Sequence, residues 1–309
     1  MDYPLTVLMA TYNDGRFLPM AMESILSQTY RHFRFLIVDD ASTDETPQII
    51  RSYNDPRIEH LRLEQNVGQT VALNIGLRHT STPWIARMDA DDVSAPQRLE
   101  DQMRTLREEE SLRCVGTAIW EFREDPRVVE IIKTRPQHYA EIKRAALRGS
   151  GIIHGSMVIN RQALLDIGAY DERYRYASDR DMVIRFLSRY RATNIPEPLL
   201  GVRRHRGQDS FSLKAAEEYI DIFTRSLHAN GHSSKEVAIL RRSLAFSYLF
   251  RSGCFKERGQ YELWWKDQVR AFILSPNASL RNTLGALSDA ILPRRFRILL
   301  RKDTVDTAV

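Results

Sequence analysis

WIARMDADD, residues 84–92, is an apolar run that ends in three carboxylates within four residues. The apolar part predicts a buried strand, so Asp89, Asp91 and Asp92 lie where that strand leaves its sheet. In open α/β sheets, ligands bind beyond the carboxyl ends of the strands. Clustered carboxylates repel one another, and oxygen ligands suit a hard cation such as Mg²⁺ or Mn²⁺. The stretch therefore indicates either a metal site that binds phosphates or a polar turn in which an aspartate caps the next helix.

Strand-like runs alternate with helical patterns before this stretch. The predicted strands cover residues 5–10, 33–38 and 58–63. A predicted helix follows each of them: the first begins at residue 18, the second has Pro47 near its start, and the third covers 68–77. Alternation at this spacing predicts a parallel, Rossmann-like sheet that is covered on both faces. Residues 42–45, Ser-Thr-Asp-Glu, have the pattern of a capping box for the second helix.

Polar residues follow three of these strands. Tyr12-Asn13, Asp39-Asp40 and Asp89-Ala90-Asp91 come at strand ends that meet at one edge of a parallel sheet, where nucleotides bind in doubly wound folds. The chain has neither a Gly-x-Gly-x-x-Gly motif nor a Gly-Lys-Ser/Thr loop, so neither a dinucleotide fingerprint nor a P-loop is supported. Acidic groups without a phosphate-cradling loop indicate that a metal ion binds the phosphates of the ligand.

The region after Pro96 continues less regularly. We expect helices over 96–109, 138–148 and 161–167, and a further helix that ends at about residue 190. We expect strands over 112–122, 128–132, 150–159 and 199–204. Glycines flank the strand over 150–159, where they permit tight bends or the close approach of a ligand. His154 on this strand is interpreted as structural, with contact to the acceptor as the alternative. Arg203, Arg204 and Arg206 are interpreted as a basic rim, with contact of one of them to the diphosphate as the alternative.

Composition limits the class of protein. The 309 residues are 43% hydrophobic and 28% charged, enough for one large domain with an ordinary core and an appendage. Two cysteines cannot form a disulfide framework, so a reducing compartment is expected. No signal peptide and no apolar run of 18 residues is visible, so we expect a cytoplasmic protein that does not span a membrane.

The C-terminal third holds the basic excess. It contains 16 of the 45 Lys and Arg residues but only 10 of the 40 Asp and Glu residues, counted over 213–309. Helical patterns cover 215–229, 235–251, 261–274 and 280–292, with breaks at Gly231, Gly253 and Pro276. Residues 293–302 interleave basic and apolar side chains, which predicts either a helix that lies on the inner membrane surface or one that packs on the protein or forms a homodimer.

Five separated motifs resemble glycosyltransferase family 2, which has the GT-A fold. They lie at 7–13, 38–44, 66–68, 72–74 and 89–92, and their order and spacing also match over about residues 4–212. The resemblance implies a mixed, mainly parallel α/β sheet flanked by helices. It also implies an inverting, nucleotide-sugar-dependent enzyme, with a catalytic domain over 1–212 and a helical C-terminal extension over 213–309. Residues 1–95 form the nucleotide-binding half and residues 96–212 the acceptor half.

The resemblance implies roles in nucleotide binding for four residues. Ala10 and Tyr12 line the base, and Tyr12 stacks or packs on it. Asp40 accepts a hydrogen bond from the base, which suits N3–H of uracil or thymine. Asp89 contacts the ribose.

The resemblance also implies a metal and a base. Asp91 holds Mn²⁺ or Mg²⁺ on the diphosphate, and His205 matches a histidine near the diphosphate or metal. Asp179 matches the catalytic base, but Ser178 replaces the glutamate of the common Glu-Asp-x-Asp pattern, so Asp179 and Asp181 are both candidates. We favour Asp179, because Asp181 lies within the start of the helix. One base and one metal predict a single displacement with inversion, since a diphosphate leaves without protonation.

Other functions are weighed against this one. A nucleotidyltransferase that makes nucleotide sugars would need a glycine- and basic-rich loop after the first strand, where the chain has residues 10–14, Ala-Thr-Tyr-Asn-Asp. A receiver-like signalling domain would explain Asp39-Asp40 but not Asp89 and Asp91. An inactive relative that binds sugar nucleotide stays open because of Ser178. The expected partners are a nucleotide-sugar donor and a glycan or lipid-linked acceptor, with no nucleic acid, and one sugar is transferred in surface polysaccharide or glycan assembly.

Overall fold

A computed structural model describes residues 4–205 and 212–277. The chain divides into two compact units, Met1–Ser210 and Phe211–Val309. The first unit holds the following elements: β1 (Leu5–Thr11), α1 (Leu18–Leu26), β2 (Phe33–Asp39), α2 (Thr46–Ser52), β3 (Ile58–Arg62), α3 (Gln69–His79), β4 (Trp84–Asp89), β5 (Val93–Ser94), α4 (Arg98–Glu108), β6 (Leu112–Phe122), β7 (Ile131–Lys133), α5 (Tyr139–Ala146), a 3₁₀ turn (His154–Ser156), β8 (Val158–Asn160), α6 (Arg161–Asp166), α7 (Ser178–Arg189) and β9 (Arg191–Arg203).

Within the described residues, nine strands form one mixed sheet. Its order is β3-β2-β1-β4-β8-β6-β9-β5, and β7 pairs with β6. The first four strands pair with one another in parallel. β8 runs antiparallel between β4 and β6, and β9 is parallel to β6. The predicted α/β class, a mixed, mainly parallel Rossmann-like sheet flanked by helices, is confirmed.

Each face of the sheet has its own apolar core, because side chains alternate along a strand. On β1, Leu5, Val7 and Met9 join a cluster that includes residues of α1 and α4. Leu8 and Ala10 join the opposite cluster, which includes residues of α3, α5, α6 and α7. Every residue of β1 is buried, so the strand lies between two helical layers and reads as a continuous apolar run.

Two predicted strands differ from the structure. Residues 150–157 form no strand, since the N–H groups of Ser156 and Met157 bond locally to Ile153 and His154, and β8 begins at Val158. β9 begins at Arg191 rather than near Leu199, and its pairing with β6 has register shifts before Pro198 and Leu200. Prolines cannot donate to a ladder, so this irregular stretch gives no strand pattern in the sequence.

The predicted capping box at 42–45 is wrong. Helix α2 has no side-chain cap hydrogen bond, because the candidate groups bond elsewhere. Ser42 Oγ accepts from the N–H of Asn13 (3.0 Å), and Asp44 Oδ1 accepts from the N–H of Thr46 (3.0 Å). Asp44 Oδ2 also accepts from the N–H of Gly15 (3.0 Å), so these side chains fasten the β2–α2 turn to the loop after β1, while the bond to Thr46 lies at the first residue of α2.

The second unit is helical over its described residues, with α8 (Leu213–His228), α9 (Ser234–Glu257) and α10 (Tyr261–Leu274). A capping box of Ser233 and Glu236 starts α9. The predicted break at Gly253 is wrong, since α9 continues to Glu257. Asp267 is buried and accepts two hydrogen bonds from Arg251 (2.7 and 2.9 Å). None of the described helices is long and apolar enough to cross a membrane, and the patterns over 280–292 and 293–302 lie outside the described residues.

Candidate active site

Three parallel strands end side by side and leave a cleft at the sheet edge. Ala10 on β1 is in register with Val38 on β2 and with Asp89 on β4. The loops that follow these strands form one wall of a cleft of about 580 Å³. Five of the predicted site residues line it: Tyr12, Asp40, Asp89, Asp91 and Asp179. Ala10 and His205 are not among the lining residues.

Tyr12 presents an exposed ring to the cleft. Its side chain is 46% exposed, and its N–H donates to Asp14 Oδ2 (3.1 Å). The next residue, Asn13, has φ of 57° and its Oδ1 accepts from the N–H of Thr43 (2.8 Å). Because this loop is fixed by hydrogen bonds, the ring has a stable position from which it can pack on a flat, apolar ligand group.

Asp40 is held by the start of α3. It is 2% exposed, and its two carboxylate oxygens accept from the N–H groups of Val67 and Gly68, both at 2.8 Å. Gly68 has φ of 88°, a conformation that glycine adopts without steric cost. A carboxylate has about four lone-pair sites, so Asp40 keeps acceptor capacity for a ligand after these two bonds.

Asp89 is oriented by a buried arginine. Arg87, 1% exposed, donates to Asp89 Oδ1 through Nη2 (2.5 Å) and also bonds to the carbonyl of Met88. Gln69 Nε2, at the start of α3, reaches the same Oδ1 (3.2 Å). Burial acts to raise the pKa of Asp89, but the Arg87 cation and the hydrogen bonds from Arg87 and Gln69 act together with other nearby charge to lower that pKa. Asp89 is therefore an ionised acceptor in a fixed position.

Asp91 and His205 lie in contact. His205 Nε2 is 3.1 Å from Asp91 Oδ2, and the ring of Phe17 packs against His205 with centroids 5.1 Å apart. Burial raises the pKa of Asp91, and the charge of Asp89 acts in the same direction. Both effects mean that a negative charge on Asp91 is unfavourable at this edge of the sheet. A bound cation would offset that cost.

The side chains fit a divalent metal only if the substrate shares in binding it. Within residues 4–205 and 212–277, no group of three or more His, Cys, Asp or Glu side chains is arranged to hold a metal. The protein thus offers Asp91 and His205 here. Mg²⁺ sites of this type use one or two carboxylates together with substrate phosphates and water, and imidazole is a ligand that Mn²⁺ accepts alongside oxygen.

Asp92 and Arg203 support the loop that carries Asp91, and Asp92 also lines the cleft. Asp92, 5% exposed, accepts from the N–H of Arg203 (3.0 Å). The Arg203 guanidinium lies over the rings of Phe17 and Phe122, at 4.8 and 4.6 Å from their centroids, and donates to the carbonyl of Asp91 (3.0 Å). The predicted basic rim is therefore wrong for Arg203, which supports the Asp91 loop. Arg204 does line the cleft, and Arg206 lies outside the described residues.

The two candidate bases face different surroundings. Asp179 lines the cleft, and its Oδ1 accepts from the N–H of Arg180 (2.7 Å). Asp181 is 5% exposed, and its Oδ2 is 2.7 Å from Nε and 2.6 Å from Nη2 of Arg185, one turn further along α7. Asp181 is thus engaged in an ion pair and is not among the cleft-lining residues.

Helix α3 fixes the loop that leads into α7 and Asp179. Asn74, 4% exposed, donates to the carbonyl of Tyr170 (2.8 Å) and accepts from its N–H (3.1 Å). Thr70 Oγ1 donates to the carbonyl of Tyr174 (2.8 Å) and contacts Ser178 Oγ (3.0 Å). The sequence patterns predict no role for Thr70 and Asn74. Polar residues on the buried face of a predicted helix were the available signal.

His154 lies on the cleft wall rather than on a strand. It begins the 3₁₀ turn and lines the cleft with its neighbour Gly155. Its Nε2 is 2.7 Å from the hydroxyl oxygen of Tyr170. The interpretation of His154 as a structural strand residue is wrong in its placement, because the chain turns at 153–157 and brings the ring to the site.

Gly155→Ala is expected to lower transfer activity about tenfold or more. A Cβ at this position would lie 2.9 Å from Asp89 Oδ2, closer than real contacts allow. Since Arg87 and Gln69 hold that carboxylate, Asp89 must move relative to the substrate, and small displacements of positioning groups have large effects on rate. Steady-state kinetics would measure the loss.

The matched control is Gly253→Ala, within α9, where a Cβ meets nothing within 4 Å. This change should raise the free energy of unfolding by about 0.5–1 kcal/mol, because alanine favours a helix over glycine, and it should leave activity unchanged. Normal activity of Gly155→Ala would contradict the close packing of this turn on Asp89.

Comparisons with known proteins agree with one another. The family model of glycosyl transferase family 2 matches residues 6–168. The putative glycosyltransferase EpsE of Bacillus subtilis is 32% identical over 224 residues, which cover 70% of this chain and 78% of that protein.

Two solved structures share the fold. S. aureus TarS 1–349 in complex with UDP-GlcNAc has a TM-score of 0.68 and 19% identity, covering 96% of this chain and 86% of that chain. The mannosyltransferase PcManGT of Pyrobaculum calidifontis, in complex with GDP-Man and Mn²⁺, has a TM-score of 0.63 and 21% identity, covering 96% of this chain and 83% of that chain.

Proposed function

Since this chain belongs to glycosyl transferase family 2 and is a glycosyltransferase, we propose that it moves one sugar from a nucleotide-diphosphate sugar to an acceptor hydroxyl with inversion. The observation that carries the proposal is the single cleft of about 580 Å³ lined by Tyr12, Asp40, Asp89, Asp91 and Asp179. These residues supply an aromatic face, fixed acceptors and a carboxylate in one space. Membership of the family sets aside the nucleotidyltransferase and the receiver-like domain.

The donor is held through its nucleoside by Tyr12, Asp40 and Asp89. The ring of Tyr12 packs on the base, and Ala10 lies beneath this loop at the end of β1. The remaining acceptor capacity of Asp40 suits N3–H of uracil or thymine, so a UDP- or dTDP-sugar is favoured. Asp89, fixed by Arg87 and Gln69, accepts from the ribose hydroxyls. TarS was solved with UDP-GlcNAc and PcManGT with GDP-Man, so the two structures differ in the base of the nucleotide. We therefore infer the base of the donor from the residues of this chain.

Asp91 and His205 are the residues that would hold a divalent metal, Mn²⁺ or Mg²⁺. Support comes from their contact at 3.1 Å and from the three carboxyl groups of Asp89, Asp91 and Asp92 at one loop, where burial and mutual repulsion raise the pKa of Asp91 and Asp92. The bound ion would stabilise charge that develops on the leaving diphosphate. The structure of PcManGT contains Mn²⁺.

Asp179 accepts the proton of the acceptor hydroxyl as the hydroxyl oxygen attacks the anomeric carbon. The bond to the diphosphate breaks on the opposite side, so the product has the inverted configuration. Ser178 replaces the usual glutamate, but its hydroxyl is fixed by Thr70 and leaves Asp179 at the cleft. Asp181 is paired with Arg185, which supports Asp179 as the base.

The acceptor is a hydroxyl of a glycan or of a lipid-linked glycan, and no nucleic acid takes part. The chain has no Gln-x-x-Arg-Trp motif, so transfer of a single sugar is expected in the assembly of a surface polysaccharide or similar glycan. We place this reaction in the cytoplasm, with residues 293–302 either on the inner membrane surface or in a homodimer or packing contact. That segment lies outside the described residues.

A panel of nucleotide sugars tests the proposal. We expect release of nucleoside diphosphate from a UDP- or dTDP-sugar when a glycan acceptor is present, and an NMR spectrum of the product with the opposite anomeric configuration to the donor. Retention would contradict single displacement. Donor binding without any transfer or hydrolysis would favour the inactive relative instead.

A further inference from the structure

His154 is a cleft residue for which the proposed reaction has no role so far. It is part of the lining, and its Nε2 bonds to the Tyr170 hydroxyl at 2.7 Å. The two rings meet edge to face, with centroids 5.4 Å apart and an interplanar angle of 78°. The imidazole therefore has one orientation, with Nε2 toward Tyr170.

Tyr170 is itself held firmly. Its side chain is 5% exposed and belongs to the apolar core on the α3 face of the sheet. Its backbone N–H and carbonyl both bond to Asn74 (3.1 and 2.8 Å). A chain of contacts from α3 through Tyr170 thus fixes the His154 ring, which is the kind of support that a binding group needs.

The ring is uncharged at neutral pH. Burial lowers the pKa of His154 to about 4, and the Arg87 cation acts in the same direction, while Asp179 and Asp89 act against it. A neutral imidazole has one donor and one acceptor nitrogen. Such a group is a poor base for a sugar hydroxyl and a poor partner for a diphosphate, but it can exchange a hydrogen bond with a neutral hydroxyl.

The position of His154 in the cleft indicates which hydroxyl of the substrates it can hydrogen-bond. The adjacent Gly155 packs so closely on Asp89 that a Cβ there would lie 2.9 Å from Asp89 Oδ2. Asp179 lines the same cleft as His154 and Asp89 and also interacts electrostatically with His154. In the proposed reaction Asp89 contacts the donor ribose and Asp179 the attacking hydroxyl. The group between them is the donor sugar, since its anomeric carbon joins the diphosphate to the acceptor.

We infer that His154, oriented by Tyr170, hydrogen-bonds a hydroxyl of the donor sugar and contributes to the choice of that sugar. This inference rests on the proposed function. It makes His154 a specificity residue, and Tyr170 a positioning residue that acts through it.

Calorimetry on the full chain tests the inference. The ligands are the nucleotide sugar that wild type transfers best and the corresponding nucleoside diphosphate, both without acceptor. His154→Ala should weaken binding of the nucleotide sugar about three- to tenfold, the range for one neutral hydrogen bond, and leave nucleoside diphosphate binding within about twofold. Tyr170→Phe should shift the same way by less. His154→Gln, which retains a donor and an acceptor, should recover part of the loss.

Deoxy donors identify the hydroxyl. Wild type should bind one deoxy analogue more weakly than the parent sugar, and His154→Ala should bind the two equally. The control is His79→Ala, since His79 pairs with Glu59 (2.6 Å) and does not line the cleft.

Three results would overturn the inference. Equal losses for nucleotide sugar and nucleoside diphosphate would make His154 merely structural. Unchanged donor binding with a raised KM for the acceptor would assign it to the acceptor hydroxyl. If wild type binds no nucleotide sugar in the panel, the proposed function fails and this inference fails with it.

Discussion

Asp179→Asn should reduce turnover by roughly 10²-fold or more, because an amide cannot accept the proton of the attacking hydroxyl. Donor affinity should stay within about twofold, since the side chain keeps its size. The fold should be retained, because an asparagine can still accept a hydrogen bond at the first turn of α7, where Asp179 bonds to the N–H of Arg180. Single-turnover kinetics with saturating donor would measure the effect.

Asp181→Asn is the matched control for this variant. It removes the charge that pairs with Arg185 at 2.7 Å, so it should lower the free energy of unfolding by about 1–3 kcal/mol and leave turnover within a few-fold. The reverse result, in which the folded Asp181 variant is inactive and the Asp179 variant turns over normally, would identify Asp181 as the base.

Removal of divalent metal should abolish transfer. The metal contributes several kcal/mol of charge stabilisation, so EDTA should lower turnover by about 10³-fold, and added Mn²⁺ or Mg²⁺ should restore it. Asp91→Ala should keep the fold but lose most of the Mn²⁺ affinity measured in the presence of nucleoside diphosphate. Full activity in chelator would reject the metal and would leave the contact of Asp91 with His205 as a structural one.

A surface aspartate provides the comparison for Asp91. Asp125 pairs with Arg127 at 2.7 Å and does not line the cleft. Asp125→Ala should therefore leave both the EDTA response and the Mn²⁺ affinity unchanged. A similar loss in both variants would show that the effect comes from net charge rather than from a site.

Regular parts of the fold could be predicted well. Strands β1, β2 and β4 are short, mostly apolar runs separated by helical patterns, and both patterns depend on residues near one another in the chain. Prediction failed where long-range contacts decide the backbone. The turn at 154–156 is held by local hydrogen bonds and packs against Asp89, and the irregular start of β9 coincides with its bulged pairing with β6. Neither contact leaves a periodic signal in the sequence.

The site could be predicted only in part. The sequence placed Tyr12, Asp40, Asp89 and Asp91 at strand ends, and these residues do line one cleft. It did not show that Ala10 lies outside the lining, that Arg203 is buried between two aromatic rings, or that His154 reaches the cleft. The interactions of the last two residues join positions far apart in the chain.

The sequence by itself determined the alternating strands and helices, the acidic strand ends and the family resemblance, since each depends on residue type and local spacing. The tertiary structure alone decided which groups share the cleft. Thr70 and Asn74 hold the loop before α7 across about 100 positions, and Arg185 draws Asp181 into an ion pair while Asp179 lines the cleft. The positions of Asp179 and Asp181 in the sequence do not show which of the two side chains lines the cleft. That is set by the packing of α7 on the sheet.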